Sequence, residues 1–166
     1  MASSSYSFDI VSEINMQEVD NAVNQAIKEI KTRYDFKGTK SSIELKREEK
    51  TLLIIADDDL KLRNIQDILK IRMSARGISP KALEFKTADK AFEGTLRQEV
   101  VLTHGLSQEI AKIIAARIKQ NFKDAQPAIQ GEKIRVTSKS KDSLQDVIQD
   151  LRSNPPEAAL QFTNFK

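Results

Sequence analysis

The chain carries one six-element series, β-α-β-β-α-β, written twice, and this repetition restricts the fold more than any single residue does. In the first pass Tyr6, Phe8 and Ile10 alternate against Ser7 and Asp9, which is the period of a strand. Asn15 followed by Glu18 has the spacing of a capping box, and Val19, Ala22, Val23, Ala26, Ile27 and Ile30 then mark one helical face. Ile43 and Leu45 alternate with Ser42, Glu44 and Lys46 in a half-buried strand. A polar turn, Arg47–Lys50, leads to Thr51–Ala56, expected as a more fully buried strand. Asp57-Asp58-Asp59 could offer oxygen ligands to a hard cation. With no second carboxylate cluster beside them, they are read as the start of a helix carrying Leu62, Ile65, Ile68, Leu69 and Met73. Gly77 ends that helix, and Pro80 leads to a strand with Leu83 and Phe85.

The second pass opens with strand Thr95–Leu102. Ser107 caps a helix with Ile110, Ile113, Ile114, Ile118 and Phe122, and Gly131-Glu132 turns between strands Pro127–Gln130 and Lys133–Ser138. Ser140 caps a helix with Leu144, Val147, Ile148 and Leu151, stopped by Asn154-Pro155-Pro156, and Leu160 and Phe162 alternate in a last strand. The spacing predicts an α+β chain, a tandem of two ferredoxin-like (RNP-like) βαββαβ sandwiches. Each is a four-stranded antiparallel sheet with two helices on one face. The 166 residues suit two small domains, placed at 1–90 and 91–166, with the polar stretch 86–94 as their connection.

Composition narrows the function classes. There is no Cys, one His (His104), and no glycine spacing that resembles a phosphate loop, so no thiol chemistry, nucleophile elbow, metal motif or P-loop is read. The chain is expected not to be an enzyme and to need no cofactor or catalytic metal. No apolar run reaches the length of a membrane span, and the Met1–Ser5 segment lacks a basic-then-hydrophobic pattern, so a cytoplasmic location without a membrane partner is expected.

Charge is unevenly placed. Residues 1–93 hold 16 cations and 16 anions, whereas 112–141 hold eight cations against Asp124 and Glu132. Such a local excess attracts phosphates, although charge runs also serve as solvated faces. With Ile134 and Val136 toward the helices, Lys133, Arg135 and Thr137 share the opposite face. Lys139 and Lys141 continue at the start of the next helix, where backbone amides add positive potential. The run Arg33-Tyr34-Asp35-Phe36-Lys37-Gly38 sets two rings between cations, a pattern able to stack a base and hold phosphate. It reads equally as a helix end whose Phe36 returns to the core and whose Gly38 lets the chain turn. Neither third strand carries the aromatics with which RNA-recognition domains stack bases, so rings would come from Tyr34, Phe36 or Phe165.

Several of these runs resemble the YajQ family of bacterial nucleotide-binding proteins. They are Ser7–Glu13, Arg33–Gly38, Ile129–Lys139, Asp142–Gln145 and the ending Leu160–Lys166, so the resemblance spans essentially the whole chain. It implies that the two domains exchange their first strands, 6–11 and 95–102, which would bring Asp9 near Lys133–Thr137. It further implies a receptor for a guanine nucleotide, most specifically cyclic di-GMP. The residues carried over by position are Arg33, Tyr34, Asp35, Phe36 and Lys37, with Gln130, Arg135, Thr137 and Lys139. The charge pattern adds Lys133 and Lys141, and Phe165 adds a ring. Two further readings stay open: an RNA-binding module using 112–141, and an adaptor that docks a transcription factor on an open sheet face. Oligomeric state is not legible in the sequence.

Overall fold

The computed structural model describes residues 5–166, so the expectation about the N-terminal segment Met1–Ser4 lies outside the described residues. In chain order the elements are β1 (Tyr6–Val11), α1 (Met16–Thr32), β2 (Ser42–Lys46), β3 (Thr51–Ala56), α2 (Asp59–Ala75), β4 (Leu83–Phe85) and β5 (Asp89–Lys90). Then follow β6 (Leu96–Leu102), α3 (Gln108–Asn121), β7 (Gln126–Gln130), β8 (Lys133–Ser138), α4 (Lys141–Ser153) and β9 (Gln161–Thr163). They form two compact units. The continuous unit is Ile14–Thr103, and the discontinuous unit joins the residues up to Glu13 with His104–Lys166.

Each unit is an antiparallel sheet with the ferredoxin-like strand order. The continuous unit runs β2-β3-β6-β4, and the discontinuous unit runs β7-β8-β1-β9. The slot between the third and fourth strands is filled in each case by the first strand of the other half of the series. β1 pairs with β8 and β9, and β6 pairs with β3 and β4. The first strands are exchanged.

In the continuous unit, Asn15 accepts the amides of Gln17 and Glu18 at 3.0 and 3.2 Å and so starts α1. Val19, Ala22, Val23, Ala26 and Ile30 are buried as the periodicity requires, while Ile27 is only half-buried. The three aspartates divide their work. Asp58 caps α2 by accepting the Lys61 amide at 2.8 Å, and Asp57 clamps the loop before β2 by accepting from the Lys40 amide (2.8 Å) and the Ser41 hydroxyl (3.2 Å). β3 departs from the expectation of a fully buried strand: Leu52, Ile54 and Ala56 are buried, but Leu53 and Ile55 are half-exposed on the other face. The polar stretch 86–94 is structured as part of this unit. Its β5 pairs with β6, and Ala91 donates to the Thr95 carbonyl at 2.8 Å. Gln98, 6% exposed, has its amide satisfied by Gln66 (2.8 Å) and the Lys86 carbonyl (2.7 Å). This extra pairing makes the sheet five-stranded rather than four.

In the discontinuous unit, Phe8 and Ile10 of β1 and Ile134 and Val136 of β8 meet Ile114 and Ile118 of α3 and Leu144, Val147 and Leu151 of α4. Ile113, expected on the buried face of α3, is 58% exposed, and Ala111 and Ala115 occupy the core side instead. Gly105 has φ +88°, donates its amide to the Ser12 carbonyl, and lies directly under the Glu132 carboxylate.

The other face of this sheet is organised by Asp9, which is 3% exposed. Arg135 Nε donates to Oδ1 at 3.0 Å, and Asn164 Nδ2 and Lys133 Nζ reach Oδ2 at 3.0 and 3.3 Å. Burial alone would raise its pKa, but the hydrogen bonds from Arg135, Asn164 and Lys133 outweigh it and lower the value to about 2. Asn164 reaches Asp9 because the strand bulges there. Asp9 pairs with Thr163, whereas Ser7 exchanges both backbone hydrogen bonds with Lys166, leaving one extra residue on the C-terminal side. Asn164 takes φ +55°, a conformation Asn tolerates, and the bulge sends Phe165 to stack on Phe8 with centroids 5.9 Å apart.

Two outcomes are expected. Gly105→Ala lowers stability by about 1–2 kcal/mol in chemical denaturation, because its left-handed backbone strains a Cβ while the flexible Glu132 can move aside. Asp9 is an acid whose folded pKa lies below its unfolded value. Its stabilisation, about 2 kcal/mol, is full above pH 4 and disappears as pH falls through 2. Denaturation midpoints of Asp9→Asn and the unmodified chain therefore differ most at pH 6 and converge toward pH 2.

Candidate functional site

The start of α4 gathers most of the unengaged positive charge of the discontinuous unit. Alternation along β8 buries Ile134, Val136 and Ser138 and leaves Lys133, Arg135 and Thr137 half-buried on the other face. At the end of β8 the Ser138 hydroxyl accepts the Ser140 amide at 3.0 Å, and the Ser140 hydroxyl accepts the Ser143 amide at 3.2 Å. These two bonds fix the turn and cap the helix, and they hold Lys139 and Lys141 at its positive end.

A cavity of about 580 Å3 opens against this turn. Its walls are Thr137, Ser138, Lys139 and Ser140 on one side and Lys123, Asp124 and Gln126 of the α3–β7 turn on the other, with Ser5 ahead of β1. Register explains the facing, since Gln126 pairs with Thr137 and the two turns lie at the same end of the β7–β8 hairpin. A second cavity of about 260 Å3 lies beside β1 and the first turn of α4. Tyr6, Ser7, Lys141, Leu144, Gln145, Phe165 and Lys166 line it. Tyr6 is 37% and Phe165 57% exposed, so both rings present surface. Among the described residues, Lys123, Lys139, Lys141 and Lys166 form no side-chain ion pair.

The remaining expected residues fall elsewhere. Lys133 and Arg135 are engaged by Asp9, and that contact raises the already high pKa of the Arg135 guanidinium. Gln130 and Lys133 lie at the opposite end of the hairpin, roughly 16 Å from Ser138 along a strand of this length. They line a small cavity of about 160 Å3 with His104, Glu13 and Glu132.

Arg33–Lys37 belongs to the continuous unit. Tyr34–Phe36 forms one 3₁₀ turn after α1, and Phe36 is buried, with the Arg33 guanidinium and Lys61 ammonium 5.6 and 5.8 Å from its ring centroid. Arg33 forks onto Asp35 with two bonds of 3.0 Å; the contact raises the Arg33 pKa and lowers that of Asp35. Phe36 returns to the core, while Tyr34 is 86% exposed with Lys37 5.8 Å from its ring.

Sequence reasoning missed Tyr6, Lys123, Asp124, Gln126, Ser140 and Lys166. Tyr6 reads as one of the alternating residues of a strand, and Lys123 and Asp124 only as members of the 112–141 charge run. The pairing of β1 with β8 and with the C-terminal stretch brings Tyr6 and Lys166 to the start of α4, and the pairing of β7 with β8 brings Lys123, Asp124 and Gln126.

A nucleotide-binding protein of Magnetococcus marinus is 48% identical over 96% of this chain and 98% of its own length. Nucleotide-binding proteins of Endomicrobium trichonymphae and Trichlorobacter lovleyi are each 47% identical, over 97% and 96% of this chain and 98% of their own. The family described as "Nucleotide-binding protein YajQ-like" matches residues 6–166. With that match over nearly its whole length, the chain belongs to the YajQ-like family.

Proposed function

We propose that this protein is a non-enzymatic, cytoplasmic receptor for a guanine nucleotide, most specifically cyclic di-GMP, and that it binds at the start of α4. The observation that carries the reading is the 580 Å3 cavity, in which Lys123 and Lys139 stand among the hydroxyls of Thr137, Ser138 and Ser140. Its volume lies within the range of small-molecule sites, about 300–1,000 Å3. Cations and hydroxyls around a helix start suit phosphate oxygens. The adjoining cavity adds Lys141 and the rings of Tyr6 and Phe165, on which a base can stack. The relatives are named nucleotide-binding proteins, which supports a nucleotide as the ligand. Arg135 contributes indirectly, since its guanidinium is committed to Asp9.

Calorimetry with cyclic di-GMP, GTP and inorganic pyrophosphate tests the proposal. Cyclic di-GMP is expected to bind tightest, and Lys139→Glu to weaken it at least tenfold while Gln130→Ala, at the far end of the hairpin, leaves it unchanged. Equal weak responses to all three ligands reduce the site to generic anion binding.

A second reading, an RNA-binding module, draws on the basic run 112–141, where Lys112 and Lys119 are exposed. The two separate by salt dependence. Binding of an RNA that neutralises several phosphates falls steeply with salt, whereas a ligand with two phosphates gives a slope of at most about 2 in log–log form. A steep slope for an RNA oligomer that Lys119→Glu weakens, with cyclic di-GMP inert, favours the RNA module over the receptor. Docking of a transcription factor, the adaptor reading, has no comparable geometric support.

A further inference from the structure

The α4 cavity contains one group that a pure phosphate site does not need. Asp124 lines it together with Lys123 and Lys139, and among the described residues its carboxylate makes no hydrogen bond or ion pair. A free carboxylate repels phosphate, so at an anion site it weakens binding unless it meets a donor on the ligand. Lys123 is its immediate chain neighbour, yet the two side chains are not paired, which leaves the acceptor oxygens open. Gln126, two residues on, offers an amide on the same wall.

Of the common nucleobases, guanine presents two adjacent N–H donors on one edge, N1–H and the exocyclic N2 amine. A carboxylate accepts both with its two oxygens in the same fork geometry that it uses for a guanidinium. Adenine offers an acceptor at N1 and cannot make this pair. Resting on the nucleotide reading above, we infer that Asp124 is the specificity-determining residue of the cavity. It reads the N1–N2 edge of a guanine base, while Lys123 and Lys139 neutralise the phosphate. A carboxylate set among lysines thereby selects for the base at the expense of simple anions.

The test uses the full chain and four mononucleotides, GMP, IMP, AMP and XMP, titrated in calorimetry against the unmodified protein, Asp124→Asn and Lys139→Met. The unmodified protein is expected to prefer GMP over AMP and XMP by about 10- to 100-fold, the value of one good bidentate base contact, with IMP between. Asp124→Asn replaces an acceptor by a donor. Its amide now suits the C2 carbonyl of xanthine, so the preference inverts toward XMP. Lys139→Met weakens all four ligands together and leaves their ratios unchanged. Asp124 sits on an exposed turn, and unchanged circular dichroism of the near-isosteric variant confirms that it folds. An Asp124→Asn variant that binds with an unaltered GMP-to-XMP ratio overturns the assignment alone. An unmodified protein that binds none of the four, nor cyclic di-GMP, overturns both the assignment and the receptor reading beneath it.

Discussion

One buried carboxylate organises the sheet on which the proposed site is built. Asp9 lies in the middle of β1, and its two oxygens receive Arg135 and Lys133 from β8 on one side and Asn164 from beyond β9 on the other. A carboxylate at 3% exposure is costly unless it is paired and hydrogen-bonded, and here it is both. The cluster therefore does more than neutralise a charge. It fixes the register of three strands at one level, and the start of α4 follows from that register. It also withdraws two cations from the basic strand, so ligand-directed charge lies beyond the strand's end, at Lys139 and Lys141, and in the turn that carries Lys123.

The C-terminal bulge is the second half of this arrangement. Had the pairing of Asp9 with Thr163 continued in regular register, Phe165 would lie opposite Ser7 and face away from the core. With Asn164 in a left-handed conformation, the ring instead lies against Phe8, whose other neighbour Phe162 packs edge-on at 6.0 Å. One inserted residue thus serves two faces of the sheet, giving Asp9 its third donor on one and placing an aromatic wall beside α4 on the other.

Local chemistry was legible in the sequence, and distant pairing was not. Asn15, Ser107 and Ser140 identify three helix starts because a cap acts within three residues of itself, and Gly131 marks its turn for the same reason. Apolar periodicity says that a side chain faces a core without saying which core, so the residues alone could not assign β1 to β8, and the exchange came only from family resemblance. Ile113 misleads because a helix crossing close to a sheet needs small residues at contact, and Ala111 and Ala115 supply them. Leu53 and Ile55 read as interior because an apolar run carries no signal of which face is open. Within the candidate site, Lys139 and Lys141 were visible as part of a charge run. Asp124 was counted only as one of the run's two anions, since its interest depends on which turn it faces.

The exchanged strands bear on the order in which the molecule is made. The continuous unit is complete once residue 103 has left the ribosome, since all of its strands lie between 14 and 103. β1 emerges before any of it, yet its partners are the second-last and last strands, with 126 residues separating Asp9 from Arg135. At translation rates of roughly 5–20 residues per second, Phe8 and Ile10 wait on the order of 10 seconds for their neighbours. Through that interval β1 is an unpaired apolar edge, and closing it requires a loop that contains an already folded unit.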